Sequence, residues 1–241
     1  MVTLNTNILS LMSQRHLNKS TNALNTSTER LSSGLRINSA RDDASGLAIG
    51  MQLELSSRLT QVDIRQSNDT ISRLQVADGA LQGVSDILVR LSELDIQARN
   101  GTNTPEQVTH INVEFSALVQ SMSEIQNQAT LNGQSVFDTS VQSIPPITGT
   151  AGNALPEIQT ALDAVSTSRT NAGAGMNAQQ FMIQSYEVSY ENQMAAKSRI
   201  MDADMAEEMS NQTRNLILQQ AGIAMLAQSN QIPSNILTLL R

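Results

Sequence analysis

Three groups of residues in this chain carry side chains capable of chemistry. The only two histidines, His16 and His110, could act as acid–base groups or metal ligands. They fall on different predicted helices, and neither has an evident nucleophile partner, which a catalytic constellation requires. Cysteine is absent, which excludes disulfides and thiolate metal sites. Arg41, Asp42 and Asp43 form a charged cluster, but two adjacent carboxylates without further ligands are a poor cation site. The expectation there is an intersubunit ion pair. Asp202 and Asp204, ahead of Glu207 and Glu208, read as a helix start favoured by the dipole. Gly46 and Gly50 lack the lysine that completes a phosphate loop. No enzyme activity, cofactor or metal is expected.

The elements around these residues are long helices. Hydrophobic content is 39% but aromatics are only 2%, and tryptophan is absent. A core of Leu, Ile, Val, Met and Ala suits helices packed side by side rather than a compact enzyme. The net charge of −7 and two lysines, Lys19 and Lys197, argue against nucleic-acid binding. No stretch reaches the ~18 apolar residues of a membrane span. The first residues lack the basic and apolar segments of a secretory signal.

No proline occurs before Pro105. A first helix is expected over Thr6–Ser33, with Leu4, Ile8 and Leu11 on one stripe. Leu17, Leu24 and Leu31 form a second stripe at intervals of seven, one residue out of phase. Gly34 caps the helix end, and Leu35–Gly50 reads as a connector of turn formers. A second helix over Met51–Arg99 carries Leu74, Ala77, Leu81, Val84, Leu88 and Leu91 in alternating steps of three and four. Gly79 and Gly83 inside it predict close approach of another backbone. Thr104, Pro105 and Gln107 predict a capping box opening a third helix, packed antiparallel on the second. Asn132-Gly133 marks a small β-hairpin, and Ser140–Pro156 reads as a surface loop. Helices are expected over Leu155–Tyr190 and Asp202–Asn230, with Gly173-Ala174-Gly175 weakening the former. In the latter, Met209, Leu216 and Ile223 recur every seven residues, flanked by Leu226. Striped helices at both ends of a chain are stable only when paired with each other or with copies of themselves, so self-assembly is expected.

The run Leu31-Ser32-Ser33-Gly34-Leu35-Arg36-Ile37-Asn38-Ser39-Ala40, followed by Asp42-Asp43-Ala44-Ser45-Gly46-Leu47-Ala48-Ile49, is an N-terminal signature. Its counterparts are Ser198-Arg199-Ile200-Met201-Asp202-Ala203-Asp204, Ile217-Leu218-Gln219-Gln220-Ala221-Gly222 and Asn235-Ile236-Leu237-Thr238-Leu239-Leu240-Arg241. In type and order these segments resemble bacterial flagellin over nearly the whole chain. The resemblance implies an all-α rod: a long antiparallel helix bundle with a small β-hairpin, plus a terminal-helix coiled coil. It implies an inner-core domain from residues 1–43 and 196–241. A rod domain over 44–195 would hold the hairpin and loop at 131–156, in a minimal form with only the two inner domains. The implied function is a structural subunit that polymerises into the flagellar filament for swimming, outside the cell, exported by the flagellar type III apparatus without a cleaved signal. The terminal helices would be largely disordered before assembly. Alternatives are the hook–filament junction protein and a soluble coiled-coil adaptor.

By the same resemblance, filament core contacts fall on Leu4, Ile8, Leu11, Leu17, Leu24, Leu31, Met209, Leu216, Ile223, Leu226, Leu237 and Leu240. An export chaperone would wrap Leu216, Ile217, Ile223, Met225 and Leu226. Leu88, Arg90, Leu94, Gln97 and Glu114 resemble the patch read by the flagellin-sensing Toll-like receptor, with departures at Ser92 and Asp95. Cap and hook-associated proteins are further implied partners, and Ser140, Ser143, Thr148 and Thr150 are candidate O-glycosylation positions. Neither nucleic-acid binding nor membrane insertion is implied.

Overall fold

A computed structural model describes residues 7–137 and 141–239, with side chains to residue 231. The chain forms α1 (Ile8–Ser33), α2 (Ala44–Ala98), α3 (Pro105–Gln128), β1 (Thr130–Leu131), β2 (Gln134–Ser135), α4 (Leu155–Met201) and α5 (Met205–Leu239). Among the described residues it is an all-α architecture with one two-stranded antiparallel sheet, β1 on β2. It divides into two compact units, Met1–Arg58 with Tyr190–Arg241, and Leu59–Ser189.

Local chemistry explains most element ends. Asn7 caps α1, its side chain accepting from Ser10 N. Gly34 ends that helix at φ 71°, the left-handed conformation glycine adopts without a Cβ penalty. The Thr104 capping box and Pro105 open α3 as expected. Asn132 and Gly133, at φ 55° and 78°, make the two-residue hairpin turn.

Three boundaries differ from the sequence expectation. The second helix begins at Ala44 and not Met51, because the Asp43 carboxylate accepts Ser45 N and Gly46 N at 3.0 and 2.9 Å and nucleates it early. The helix predicted to stop at Tyr190 runs on to Met201, straight through Gly173-Ala174-Gly175. Gly175 is retained against the flank of α2: a Cβ there would meet Leu74 Cδ1 at 3.0 Å. The last helix passes Asn230 and Pro233 to reach Leu239.

The core of the Leu59–Ser189 unit is the predicted stripe of α2. Leu81, Leu88 and Leu91 are fully buried there with Phe115 and Met122 of α3 and Ile158 and Val165 of α4. The segment after the hairpin is not a solvated loop, contrary to expectation. Val141, Ile144, Ile147, Ala151 and Ala154 are buried and join this core. Each methylene removed from water contributes about 0.8 kcal/mol, so these apolar side chains are held inward while Gln142, Ser143 and Thr148 between them face solvent. Gly79 and Gly83 do not mark backbone contacts either. Nothing lies within 4 Å of a Cβ built at Gly79, and the nearest atom at Gly83 is Ile125 Cδ1 at 3.7 Å. The close approaches are at Gly50, against Met201 Sδ at 2.6 Å, and Gly46, against Asp43 and Ile37.

Candidate self-assembly surface

In the unit that joins the two chain ends, α1 and α5 pair antiparallel. Thr21 Oγ1 accepts from Gln219 Nε2, Thr28 Oγ1 from Gln212 Nε2, and Arg30 Nη1 donates to Glu208 Oε1 at 2.9 Å. On α1 the less exposed positions are Leu17, Leu24 and Leu31, alternating with Ser13, Ser20 and Ser27. On α5 they include Glu208, Asn215, Gly222 and Ser229, again at intervals of seven, flanked by Gln212, Gln219 and Leu226. The closest packing sets Gly222 against Leu17, where a Cβ would meet Leu17 Cβ at 3.7 Å.

The seam is therefore largely polar, and the large apolar residues face elsewhere. Met209, Leu216 and Ile223, the heptad stripe visible in the sequence, lie one position around the helix from the seam and are exposed. Ile217 is 60% exposed, Met225 62%, and Leu218, Ile8 and Leu11 about as much. Of the residues expected at filament contacts, Leu17, Leu24, Leu31 and Leu226 are half-buried, whereas Ile8, Leu11, Met209, Leu216 and Ile223 are open. Leu4 and Leu240 lie outside the described residues, and Leu237 is described by its backbone alone. Large apolar side chains left open along both terminal helices are surface that association with another chain would bury. No described helix is long and apolar enough to cross a membrane.

The connector that follows α1 is tied to the α4–α5 junction. Leu35 and Asp202 form an antiparallel β-bridge, with Arg36 N donating to Met201 O at 2.7 Å and Ala203 N to Gly34 O at 2.9 Å. Arg36 Nη2 adds a bond to Ile200 O. Lys197 pairs with Glu54, and Glu54 also holds Arg58 at 2.5 Å. Those two cations, Lys197 first, keep the Glu54 carboxyl below the usual range.

Asp42 and Asp43 serve the connector itself. Asp42 Oδ2 accepts from Ser39 Oγ, Ser39 N and Asn38 N, and these bonds, the hydroxyl first, lower its pKa. Asp43 is lowered by the Gly46 N–H and the Ser45 hydroxyl. Asp204 Oδ1 accepts Ala206 N and Glu207 N, so it starts α5, as the sequence suggests. Among the described residues no group of three or more acidic or histidine side chains could hold a metal ion.

On α2 and α3, Arg90 bonds Glu114 at 2.8 Å and Glu93 at 3.0 Å, and these carboxylates, Glu114 first, raise its pKa. Arg90, Gln97 and Glu114 are exposed. Leu88 and Leu94 are not: both are 1% exposed, turned into the core by the three-four periodicity of α2, so they present nothing to a receptor in this fold. Asp95 is fully buried and also leaves the surface. Sequence reasoning missed what it does. Asp95 Oδ1 accepts Gly152 N and Ala154 N at 2.9 Å, while Arg99 Nε donates to Gly152 O and lies 3.1 Å from Asp95 Oδ2. Asn112 Oδ1 takes Ala151 N. Near the other end of this segment, Glu157 accepts Gly149 N and Thr148 N, which lower its pKa. The only sequence signal was a carboxylate one place beyond an apolar stripe. Thr148 Oγ1 is engaged by Glu157, Ser143 and Thr150 are exposed, and Ser140 lies outside the described residues.

Comparison with known proteins bears on this surface. The bacterial flagellin N-terminal helical region matches residues 4–142, and the bacterial flagellin C-terminal helical region matches residues 155–240. A flagellin of Halalkalibacterium halodurans is 36% identical over 270 residues, covering 99% of both chains. The flagellar filament 33 kDa core protein of Treponema phagedenis is 33% identical over 285 residues, and a flagellin of Bacillus subtilis is 34% identical over 303. Each of these also covers 99% of both chains.

Proposed function

We infer function from kinship: the chain belongs to the bacterial flagellin family, and it is a structural subunit of the flagellar filament rather than an enzyme. The observation that carries the mechanism is the polar α1–α5 seam beside open apolar faces on the same helices. A pair that buries little apolar area of its own is marginal, since ordering costs ~1–2 kcal/mol per residue. Contact with neighbouring copies removes Leu216, Ile217, Ile223, Ile8 and Leu11 from water and makes the pair stable, so folding of the ends is coupled to assembly. Contacts that repeat head to tail without closing give an open helical filament. Residues 1–43 and 196–241 form its inner core and residues 44–195 the surrounding rod layer. The test is to seed purified chain with short filament fragments and image the product. The full chain elongates the seeds, and a chain lacking residues 5–33 does not. Filaments of the truncated chain would overturn the mechanism.

The chain works outside the cell, passed there by the flagellar type III apparatus. The exposed Leu216, Ile217, Ile223 and Met225, with half-buried Leu226, are the surface an export chaperone covers before export. Calorimetry showing no binding of the full chain to the cognate chaperone would remove that partner. Cap and hook-associated proteins meet the same faces at the filament ends; pull-down of those proteins by filament fragments checks this. Arg90, Gln97 and Glu114 are the candidate contacts for the flagellin-sensing Toll-like receptor. A reporter assay with no response to saturating monomer excludes them.

A further inference from the structure

Pro233 stands inside α5, which continues to Leu239. Proline has no backbone N–H, so the carbonyl four residues earlier, that of Ser229, loses its intrahelical donor. Ser229 is only 5% exposed, and a buried carbonyl without a partner is costly. The partner comes from the other end of the chain: Asn7 Nδ2 donates to Ser229 O at 2.7 Å. The same amide's Oδ1 accepts Ser10 N at 3.1 Å and caps α1. One side chain therefore starts α1 and repairs the single proline gap in α5.

At its far end the pair is pinned by Arg30–Glu208 and by the Leu35–Asp202 bridge, but towards Asn7 the seam resists slippage poorly. Serines recur at 13, 20 and 27 and leucines at 17, 24 and 31, so a shift of seven residues replaces like with like. The cross-helix bonds from Gln212 and Gln219 are long, at 3.3 and 3.4 Å. Ser229 is different, because it is the one interior carbonyl of α5 that proline chemistry leaves without a donor. We propose that Asn7 is a positioning residue that holds the register of the N-terminal half of α1 against the C-terminal half of α5, by supplying to Ser229 the hydrogen bond that Pro233 withholds. Its value for polymerisation rests on the assembly reading above; the register itself does not. A polar group satisfied in only one alignment specifies that alignment, as a buried asparagine does in a coiled coil.

The chain has no cysteine, and a Cβ added at Gly222 would lie 3.7 Å from Leu17 Cβ, within disulfide reach. Leu17→Cys with Gly222→Cys therefore reports the native register by its cross-linking rate in a fixed glutathione buffer. Leu24→Cys with Gly222→Cys reports a one-heptad slip. Asn7→Ser keeps an N-cap of equal quality but is too short to reach Ser229. Losing the bond should lower the native-to-slipped ratio about fivefold, the equivalent of one ordinary hydrogen bond. Pro233→Ala restores an N–H for Ser229, so in that background Asn7→Ser should change the ratio less than twofold. A ratio unmoved by Asn7→Ser, or moved equally in both backgrounds, overturns the proposal. Asn7→Asp, which also keeps the cap and removes the donor, must behave as Asn7→Ser does. Seeded elongation is measured alongside: failure of the unsubstituted chain to elongate would count against the assembly reading and leave the cross-linking result standing.

Discussion

Leu35 and Asp202 are paired by a β-bridge although most of the chain lies between them. The two signature segments of the sequence, around Gly34 and around Met201, are thus one structural joint. Gly34 ends α1 and accepts Ala203 N, while Gly50 of α2 packs on Met201.

The glycines of this joint should respond oppositely to those elsewhere. Gly34→Ala forces a positive φ on alanine and Gly50→Ala drives a Cβ into the Met201 side chain, so each should cost about 1–2 kcal/mol. Gly79→Ala meets nothing within 4 Å and should stabilise by up to about 1 kcal/mol through helix propensity. Urea unfolding of the three variants reads both signs.

Hydrogen exchange should separate the two units. The seam of α1 and α5 is polar, and the Leu59–Ser189 unit holds most of the buried apolar residues. In dilute monomer, amides of α1 and α5 should exchange orders of magnitude faster than those of α2 around Leu81–Leu91, and should become protected on polymerisation. Equal protection in both would contradict coupled folding of the ends.

Ile217→Asn and Ile223→Asn change side chains that are 60% and 55% exposed. Monomer stability should move by less than about 0.5 kcal/mol, as for surface substitutions generally. The critical concentration for elongation should rise by about tenfold or more, measured by sedimentation of seeded samples.

Asp95→Ala removes the acceptor that holds Gly152 N and Ala154 N. It should destabilise the chain by about 3 kcal/mol, since it leaves buried donors unpaired. Asp95→Asn keeps one carbonyl oxygen for these donors and should cost less. Thermal unfolding of the pair of variants distinguishes lost acceptor from lost charge.

The connector should be acid-sensitive. Asp42 and Asp43 are held below the ordinary carboxylate value by hydroxyl and backbone donors. Depressed folded pKa values give stability that is present above the unfolded value of about 3.9 and lost as pH falls through the folded one. Carboxyl titration by NMR should place both groups below that value. Asp42→Asn should shrink the drop in melting temperature between about pH 4 and pH 2.

Much of the fold was legible because it is governed by contacts close in sequence. The Thr104–Gln107 capping box, the Asn132-Gly133 turn, the Gly34 cap and the three-four stripe of α2 all follow from hydrogen bonds and side-chain spacings a few residues long. The signature segments carried the family by the same route. Tertiary structure alone decided which stripe of α5 faces α1, because two heptad registers one residue apart were both present, Met209–Leu216–Ile223 and Glu208–Asn215–Gly222–Ser229, and only the partner helix chooses between them. It also decided that Val141–Ala154 packs inward, that Leu88 and Leu94 are lost to the core, and that Asp95 and Asn7 serve backbone groups far along the chain. Those outcomes depend on which unsatisfied carbonyl or apolar gap folding brings opposite each side chain, and one-dimensional spacing does not encode that juxtaposition.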